Sequence, residues 1–494
     1  MTTSTTSLTD RERAVLGKIP AQLLIGGTWR DATGEGTVAV EDPATGLEIG
    51  RIADGTEDDA RAALDAATAA QPVMASLSPR ERSDILQKTS QLLTEHTEEL
   101  ALLMTLELGK PLAESRGEVA YGASFFWWFA GEAVRLAGEY KTSADGKGRT
   151  LVQRQPVGPC LFITPWNFPL AMGARKLAPA IAAGCTSIVK PAKLTPLTML
   201  RLAQLLEEAG LPAGGVNVLT GNSARAVTEP LLNDPRLRKL SFTGSTEVGQ
   251  KLVEQAAPNL LRVSMELGGN APLIVFDDAD LDVAVEGAFM AKMRNGGEAC
   301  TAANRILVQR GIADAFTEKF VERMAAVKVG RGTDEGVGLG AMVDQDQLDK
   351  IAELVDDAVA KGAKVACGGE TVGDVGHFYA ATVLTDVPDD ARLLEEEIFG
   401  PVAPIRVFDT EEQGVAEANA TEYGLIAYLF TRDLARGHRV ASALETGMVG
   451  LNRGVISSSD APFGGIKHSG FGREGGAEGI EEYVDTKYIS MPLD

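Results

Sequence analysis

An α/β protein built on parallel, doubly wound sheets is the fold class that this sequence predicts, and three observations predict it. Between Pro159 and Ser245, four short apolar strand patterns alternate with helical ones, as in a parallel sheet covered on both faces. A second alternating run begins near Gly268. Two further strand patterns, near 151–157 and 486–493, stand apart from both runs and far from each other in the chain.

The N-terminal stretch MTTSTTSLTDRER has no apolar run, so it is expected to form a polar, frayed tail and not a secretory signal. From Asp58 to about Leu108 the apolar spacing is helical. Ser78 before Pro79 reads as an N-cap followed by proline at the first helical position, and Gly109 as a stop. The cluster Phe125, Phe126, Trp127, Trp128 and Phe129 falls in a second long helix and is expected to be core or interface packing, with nothing charged placed to use it. CLFIT then reads as a buried strand, PWNFP as a rigid loop and LAMGARKLAPAIAAG as a helix. TSIVKPA, VNVLTG and LRKLSFTG are the next strands, separated by helices over LTPLTMLRLAQLLEEAG and AVTEPLLN. Ligands of such sheets sit beyond the carboxyl ends of the strands, here marked by Asn167, Lys190, Gly221 and Ser245. In the second run APLIVF, NRILVQ, Pro401 to Phe408 and LIAYLFT read as strands, with helices over IADAFTEKFVERMAAV and DQLDKIAELVDDAVAKG.

Composition narrows the function. The chain has 494 residues, which suggests roughly three domains. With 44% hydrophobic and 23% charged residues it is not a mainly disordered chain. A net charge of −22 repels phosphate backbones, so no nucleic-acid partner is expected. No apolar run reaches the roughly 20 residues of a membrane span. Four cysteines are too few for a disulfide scaffold and, with four scattered histidines and no HExxH, suggest no metal site. A reducing, cytoplasmic compartment is expected, with a single activated thiol as the chemistry to look for.

Three residues are candidates for that chemistry. Cys300 follows Gly296 and Gly297, which allow close backbone approach to a thiolate; a buried structural cysteine is the alternative. Glu266 stands where a strand runs into Gly268 and Gly269, as a general base facing a cleft or as a solvated loop carboxylate. Asn167, between prolines, offers an amide as an oxyanion donor or as an Asx-turn residue. The GxGxxG from Gly470 to Gly475 follows no strand and is read as chance.

The motifs PWNFP, KPA, FTGST, ELGGNAP, NGGEAC, EEIFGP and PFGGIKHSGFGRE occur in that order. Together they resemble the aldehyde dehydrogenase superfamily from about Ile25 to the C-terminus. The resemblance implies that Cys300 is the nucleophile and Glu266 the base, with Asn167 and the Cys300 N–H as the oxyanion hole. Lys176 and Glu474 match a proton path from the base. Glu397 and Phe399 match residues that hold the nicotinamide ribose and ring. Thr164, Pro165, Trp166 and Gly221 join the cofactor set, with Lys190 near the adenosine ribose. Gly244, Ser245 and Thr246 open a helix whose N-terminus suits a pyrophosphate. Where NAD-preferring members carry a glutamate, this chain has Lys193, whose charge attracts a 2′-phosphate, so NADP is expected ahead of NAD.

Arg175, Arg294 (six residues before Cys300), Ser457 or Ser458, and Phe463 are similar to the substrate positions of succinate-semialdehyde dehydrogenases, whose arginines grip a distal carboxylate. Structural salt bridges are the alternative for the arginines. Glutarate semialdehyde, one methylene longer, is the nearest rival substrate, and a broad-specificity aliphatic aldehyde dehydrogenase the next. Cys300-Thr301-Ala302 lacks the second cysteine that gives some of these enzymes a disulfide switch. Acyl-transferring members generally lack a base such as Glu266, a thiol hydrolase would not require the nucleotide motifs, and a non-catalytic binding protein would have no reason to keep all three groups.

The resemblance also implies a division of the chain. Residues 20–137 and 158–267 are expected to bind cofactor in a Rossmann-like domain, and 268–445 to form an α/β catalytic domain. Residues 138–157 and 481–494 are expected to form a small β oligomerisation region, with 446–480 returning to the cofactor domain and lining the active site. A homodimer or homotetramer is the expected assembly.

Overall fold

A computed structural model describes residues 7–493 of the chain. Among these residues the strands form three sheets and one hairpin. The first sheet has a parallel centre: β7 (Cys160–Ile163), β8 (Ser187–Lys190), β9 (Val216–Val218), β10 (Lys239–Thr243) and β11 (Arg262–Glu266). Antiparallel strands close its edges, with β19 (Gly470–Phe471) beside β11 and β1 (Leu23–Ile25) with β2 (Thr28–Arg30) beside β9. The order β11-β10-β7-β8-β9 reverses direction between β7 and β10, so the loops leaving these two strands diverge and open a crevice.

Strand residues alternate between two cores, as a two-sided sheet demands. Phe162 and Val189 face α3 (Pro79–Glu95), α5 (Leu112–Arg135), α6 (Ala171–Ala183) and α7 (Leu197–Glu208). Leu161 and Ile188 face α2 (Glu57–Ser76), α8 (Ala224–Leu232) and α9 (Thr246–Ala256). α3 begins with the expected cap: Ser78 accepts from the Glu81 N–H, Glu81 reaches back, and Pro79 takes the first helical position. Gly109, left-handed at φ 94°, ends α4 (Thr97–Leu108).

The second sheet runs β14 (Lys364–Cys367), β15 (Thr382–Thr385), β16 (Val402–Phe408), β13 (Ala303–Gln309), β12 (Ala271–Val275), β17 (Ile426–Phe430) and β18 (Met448–Leu451), parallel except for β14. α10 (Leu281–Met293), α11 (Arg310–Ala325) and α12 (Gln345–Lys361) cover one face. α13 (Glu411–Asn419) and α14 (Leu434–Ala443) cover the other. The third sheet joins distant segments: β20 (Val484–Pro492) pairs along β6 (Gly148–Pro156), which carries β5 (Glu139–Thr142) on its other side. β3 (Thr37–Asp42) and β4 (Leu47–Ala53) make the hairpin, and α15 (Glu478–Glu481) precedes β20. No helix among the described residues is long and apolar enough to cross a membrane.

The expected N-terminal tail needs correction. Residues 1–6 lie outside the described residues, but Asp10–Leu16 is a helix (α1) closed by a capping box between Thr9 and Glu12. Glu12 is buried against Arg331, and that pair fastens the polar segment to the body. Strands β1 to β4 and the helix α10 were also not expected from the sequence.

Candidate active site

β7 and β10 deliver the first elements of the site into the crevice. Thr164–Phe168 leaves β7, and Gly244 and Ser245 leave β10 to start α9. A Cβ on Gly244 would stand 2.4 Å from the Phe242 ring, so only glycine fits there. Ser245 is the N-cap of α9 yet makes no side-chain cap bond, which leaves the helix N–H groups facing the crevice. Lys190 ends β8, and the Thr164 N–H donates to its carbonyl at 3.2 Å. Burial, together with the charge of Lys193, lowers the Lys190 ammonium to about 8. Neither lysine forms an ion pair among the described residues. Gly221 sits beyond β9, packed on Asp54 and Gly55, away from the central cavity.

That cavity, about 190 Å³, lies between the two large sheets. Pro165, Trp166, Asn167, Gly244 and Ser245 line it from one side, and Cys300, Glu397 and Phe399 from the other. Glu266, the last residue of β11, forms part of its wall. Trp166 and Phe399 meet edge to face at 5.3 Å.

The turn that carries Cys300 is held by amides. After α10, Asn295, Gly296 and Gly297 all take positive φ. A Cβ on Gly297 would lie 2.2 Å from the Gly400 carbonyl oxygen. Asn295 Nδ2 donates to the carbonyls of Asn167 and Glu298 at 3.0 Å, and Asn167 Nδ2 donates to Glu298 at 2.9 Å. The Asn295 N–H donates to the Glu114 carboxylate from α5. One Asn167 amide hydrogen is thereby committed to the peptide that precedes the nucleophile turn, and its second remains.

Cys300 is half-buried, and burial pushes its thiol up to about 12; Glu397 and Glu266 add to the rise, while Arg175 and Arg294 oppose it. Both Glu266 oxygens are buried without a hydrogen-bond partner. Burial, then the Glu474 charge, holds the Glu266 carboxyl well above the carboxylate range. Burial thus favours the neutral form of both groups. Glu397, raised to about 7 by burial, accepts the Gly269 N–H at 3.2 Å.

α6 is buried along its whole length and carries two cations beneath the cavity. Its first N–H groups, of Leu170 and Ala171, donate to Glu118, which pairs with buried Lys110. Lys176 Nζ lies 2.6 Å from Glu474 Oε1 and donates to Ser241 at 3.0 Å. Arg175 Nε lies 2.7 Å from Glu474 Oε2, with the guanidinium carbon 3.9 Å from the Phe463 ring centre. Arg175 is thus not a free clamp but is already engaged by an internal carboxylate. The aromatic cluster is also corrected. Phe125, Phe126 and Phe129 are core residues, but α5 packs on α6, so Arg175 comes to lie 5.8 Å over Phe125, a charge that sequence spacing does not reveal.

Arg294 is placed differently. Half-buried, it lies 5.5 Å from the Tyr121 ring and 5.2 Å from Phe168. Its Nη1 donates to Ser457 Oγ at 3.0 Å, and no carboxylate pairs with it among the described residues. Ser458, by contrast, turns outward and bonds Asp460. Tyr121, not singled out from the sequence, has a buried hydroxyl near Arg175, Arg294 and Ser457. Its one available signal was the four-residue spacing Tyr121–Phe125–Phe129 on one face of α5. Asn295 and Glu114 were missed because their partners are remote in the chain.

Comparison with known proteins bears on these features. Residues 29–489 match the aldehyde dehydrogenase family. The chain is 57% identical to the succinate-semialdehyde dehydrogenase of Paenarthrobacter nicotinovorans, covering 90% of this chain and 98% of that one. It is 50% identical to the Escherichia coli succinate-semialdehyde dehydrogenase [NADP(+)] GabD, over 96% of this chain and 98% of that one. It is 49% identical to a Pseudomonas putida glutarate-semialdehyde dehydrogenase, with the same coverage. A crystal structure described as an E. coli NADP dependent enzyme superposes with a TM-score of 0.95 at 49% identity, covering 99% of this chain and 100% of that one. The chain belongs to the aldehyde dehydrogenase family.

Proposed function

We propose that this enzyme oxidises succinate semialdehyde to succinate with NADP, through a thioester on Cys300. The observation that carries the substrate is Arg294. A half-buried guanidinium without a counter-ion, framed by Tyr121 and Phe168 and backed by Ser457, is costly unless a ligand brings an anion. Ser457 and not Ser458 is the serine that supports it. Related enzymes named for succinate and glutarate semialdehyde, both ending in a carboxylate, support the same class.

The residues act in sequence. Cys300 releases its proton to solvent and its sulfur bonds the aldehyde carbon, whose carbonyl oxygen becomes an alkoxide. The alkoxide that forms receives the free Asn167 amide hydrogen and the Cys300 backbone N–H. A bound nicotinamide supplies the hydride acceptor. Glu266, once deprotonated, takes a proton from water, which adds to the thioester and releases the acid. Glu474, held by Lys176, lies behind Glu266 to receive its proton.

NADP fits the residues present. Lys190 and Lys193 are two neighbouring cations without a carboxylate, one of them buried and lowered by the other, an arrangement that a 2′-phosphate would relieve. Glu397 and Phe399 would hold the nicotinamide end, and the open N-terminus of α9 the pyrophosphate. Glutarate semialdehyde is the second reading, because one methylene is worth only about 1–3 kcal/mol of discrimination.

We take residues 20–137 and 158–267, which build most of the first sheet and its helices, as the cofactor domain and 268–445, which build most of the second, as the catalytic domain; 446–480 lines the site and adds β18 to the second sheet and β19 to the first. Residues 138–157 and 481–494 are the oligomerisation region. β5 and β20 are its two edges and expose Tyr140 and Tyr488, which supports pairing with another subunit as a homodimer or homotetramer. Four free cysteines, two of them fully buried, fit a reducing cytoplasm.

Initial rates with succinate semialdehyde, glutarate semialdehyde and butanal, each with NADP⁺ and NAD⁺, test the reading. A preference for the carboxylated aldehydes with NADP⁺ is expected. Butanal turned over equally well would remove the substrate assignment and leave an unspecialised aldehyde dehydrogenase.

A further inference from the structure

Arg175 lies between two candidate carboxylates, one of the protein and one of the substrate. Its Nε stands 2.7 Å from Glu474 Oε2 as an ion pair that is not aligned as a hydrogen bond, so Nε, Nη2 and Glu474 Oε2 are all buried with no hydrogen-bond partner. The Tyr121 hydroxyl nearby is buried, with Ser457 and the two arginines as its polar neighbours. Phe463, under the guanidinium, is joined to Glu474 by two backbone hydrogen bonds of 2.8 Å, so ring and carboxylate move as one unit. Buried N–H groups without an acceptor make an incomplete site, and the carboxylate paired with them is itself part of the proton path behind Glu266.

We propose that the distal carboxylate of the substrate draws Arg175 away from Glu474, so that filling the carboxylate subsite frees Glu474 to take the proton of Glu266. This deepens the semialdehyde reading and rests on it. At rest Glu474 is kept ionised against its burial by Lys176 and Arg175, with Lys239 more distant. Glu266, Arg473, Tyr121 and Tyr483 are the other titratable groups around the relay. When a second anion shares Arg175, Glu474 loses part of its cation and binds a proton more readily. The Glu266 carboxyl then passes its proton to the Glu474 carboxylate. Glu266, now a carboxylate, accepts a proton from water as the water oxygen bonds the thioester carbon. The C–S bond breaks and the acid leaves; the thiolate takes the proton now on Glu266 and returns to the thiol, Glu474 gives its proton back to Glu266, and no oxidant is used in this half of the cycle. Carboxylated aldehydes are thereby selected in thioester hydrolysis as well as in binding.

Acetaldehyde and acetate together make up the two halves of succinate semialdehyde, so acetate is the probe. With wild-type enzyme, saturating acetaldehyde and NADP⁺, added acetate is expected to raise turnover about three- to ten-fold, the change in ionised fraction that roughly half to one pKa unit brings. The share of enzyme trapped as acetyl-Cys300, read by mass spectrometry after quenching, falls in the same titration. Glu474→Gln abolishes the response. Arg175→Gln raises acetaldehyde turnover without acetate while raising KM for succinate semialdehyde. A wild-type preference for succinate semialdehyde over butanal with no acetate response overturns the coupling and leaves the substrate reading standing. Neither preference nor response overturns both.

Discussion

Lys190 and Lys193, at the mouth of the crevice, and Arg175 and Lys176, beneath the cavity, are cations in opposite circumstances. The first two have no acidic partner, and the buried one is lowered towards neutrality. The second two share Glu474 at 2.7 and 2.6 Å. Arg294 belongs with the first kind, although it sits deep in the site beside Tyr121. A cation the protein leaves unpaired marks where a ligand brings the missing charge, whereas a paired buried cation marks machinery whose charges are already assembled inside the protein.

Breaking the paired side should have the larger effect. Glu266→Gln is expected to lower kcat about 10²- to 10⁴-fold while leaving a first-turnover burst of NADPH, because thioester formation precedes the need for the base. Stopped-flow absorbance reads both phases. In the wild type, thioester hydrolysis should quicken as pH rises, since burial keeps Glu266 protonated at rest and its working form is the carboxylate.

The unpaired side is tested by its cofactor. Lys193→Glu should shift the NADP/NAD ratio of kcat/KM about 10- to 100-fold toward NAD, about 1.4–2.8 kcal/mol. A bound 2′-phosphate favours the charged form of Lys190. NADP affinity should therefore be full below about pH 8 and fall as pH rises through it. NAD affinity, followed in parallel by fluorescence titration, should not show that fall. A control remote from both regions is Ser78→Ala. Losing this cap should cost about 1 kcal/mol, read in urea unfolding, and leave every kinetic constant alone.

Local chemistry made much of this legible in the sequence. Strands β7 to β10 announce themselves as apolar runs between helical patterns, and Cys300, Glu266 and Asn167 stand beside glycines or prolines that shape their turns. Ser78 and Pro79 mark a helix start by residue type alone. What stayed hidden depends on contacts between remote segments. Glu474 meets Lys176 across 298 positions, so the engagement of Arg175 by the same carboxylate could not be read from its neighbours. α1 reads as tail because its burial comes from Arg331. β1 and β2 are only three residues each, too short for a period to show. Tyr121 acquires its place only when α5 packs on α6.

Whether Arg294 receives the substrate's carboxylate is decided by a double comparison. kcat/KM would be measured for succinate semialdehyde and for butanal in wild type and Arg294→Ala. The account predicts about a 10²-fold loss, roughly 2.7 kcal/mol, for the semialdehyde and little change for butanal, since removing one partner of a buried charge pair penalises only the ligand that carries the other. Equal losses for both aldehydes would mean that Arg294 only braces the Cys300 turn, and would contradict the account.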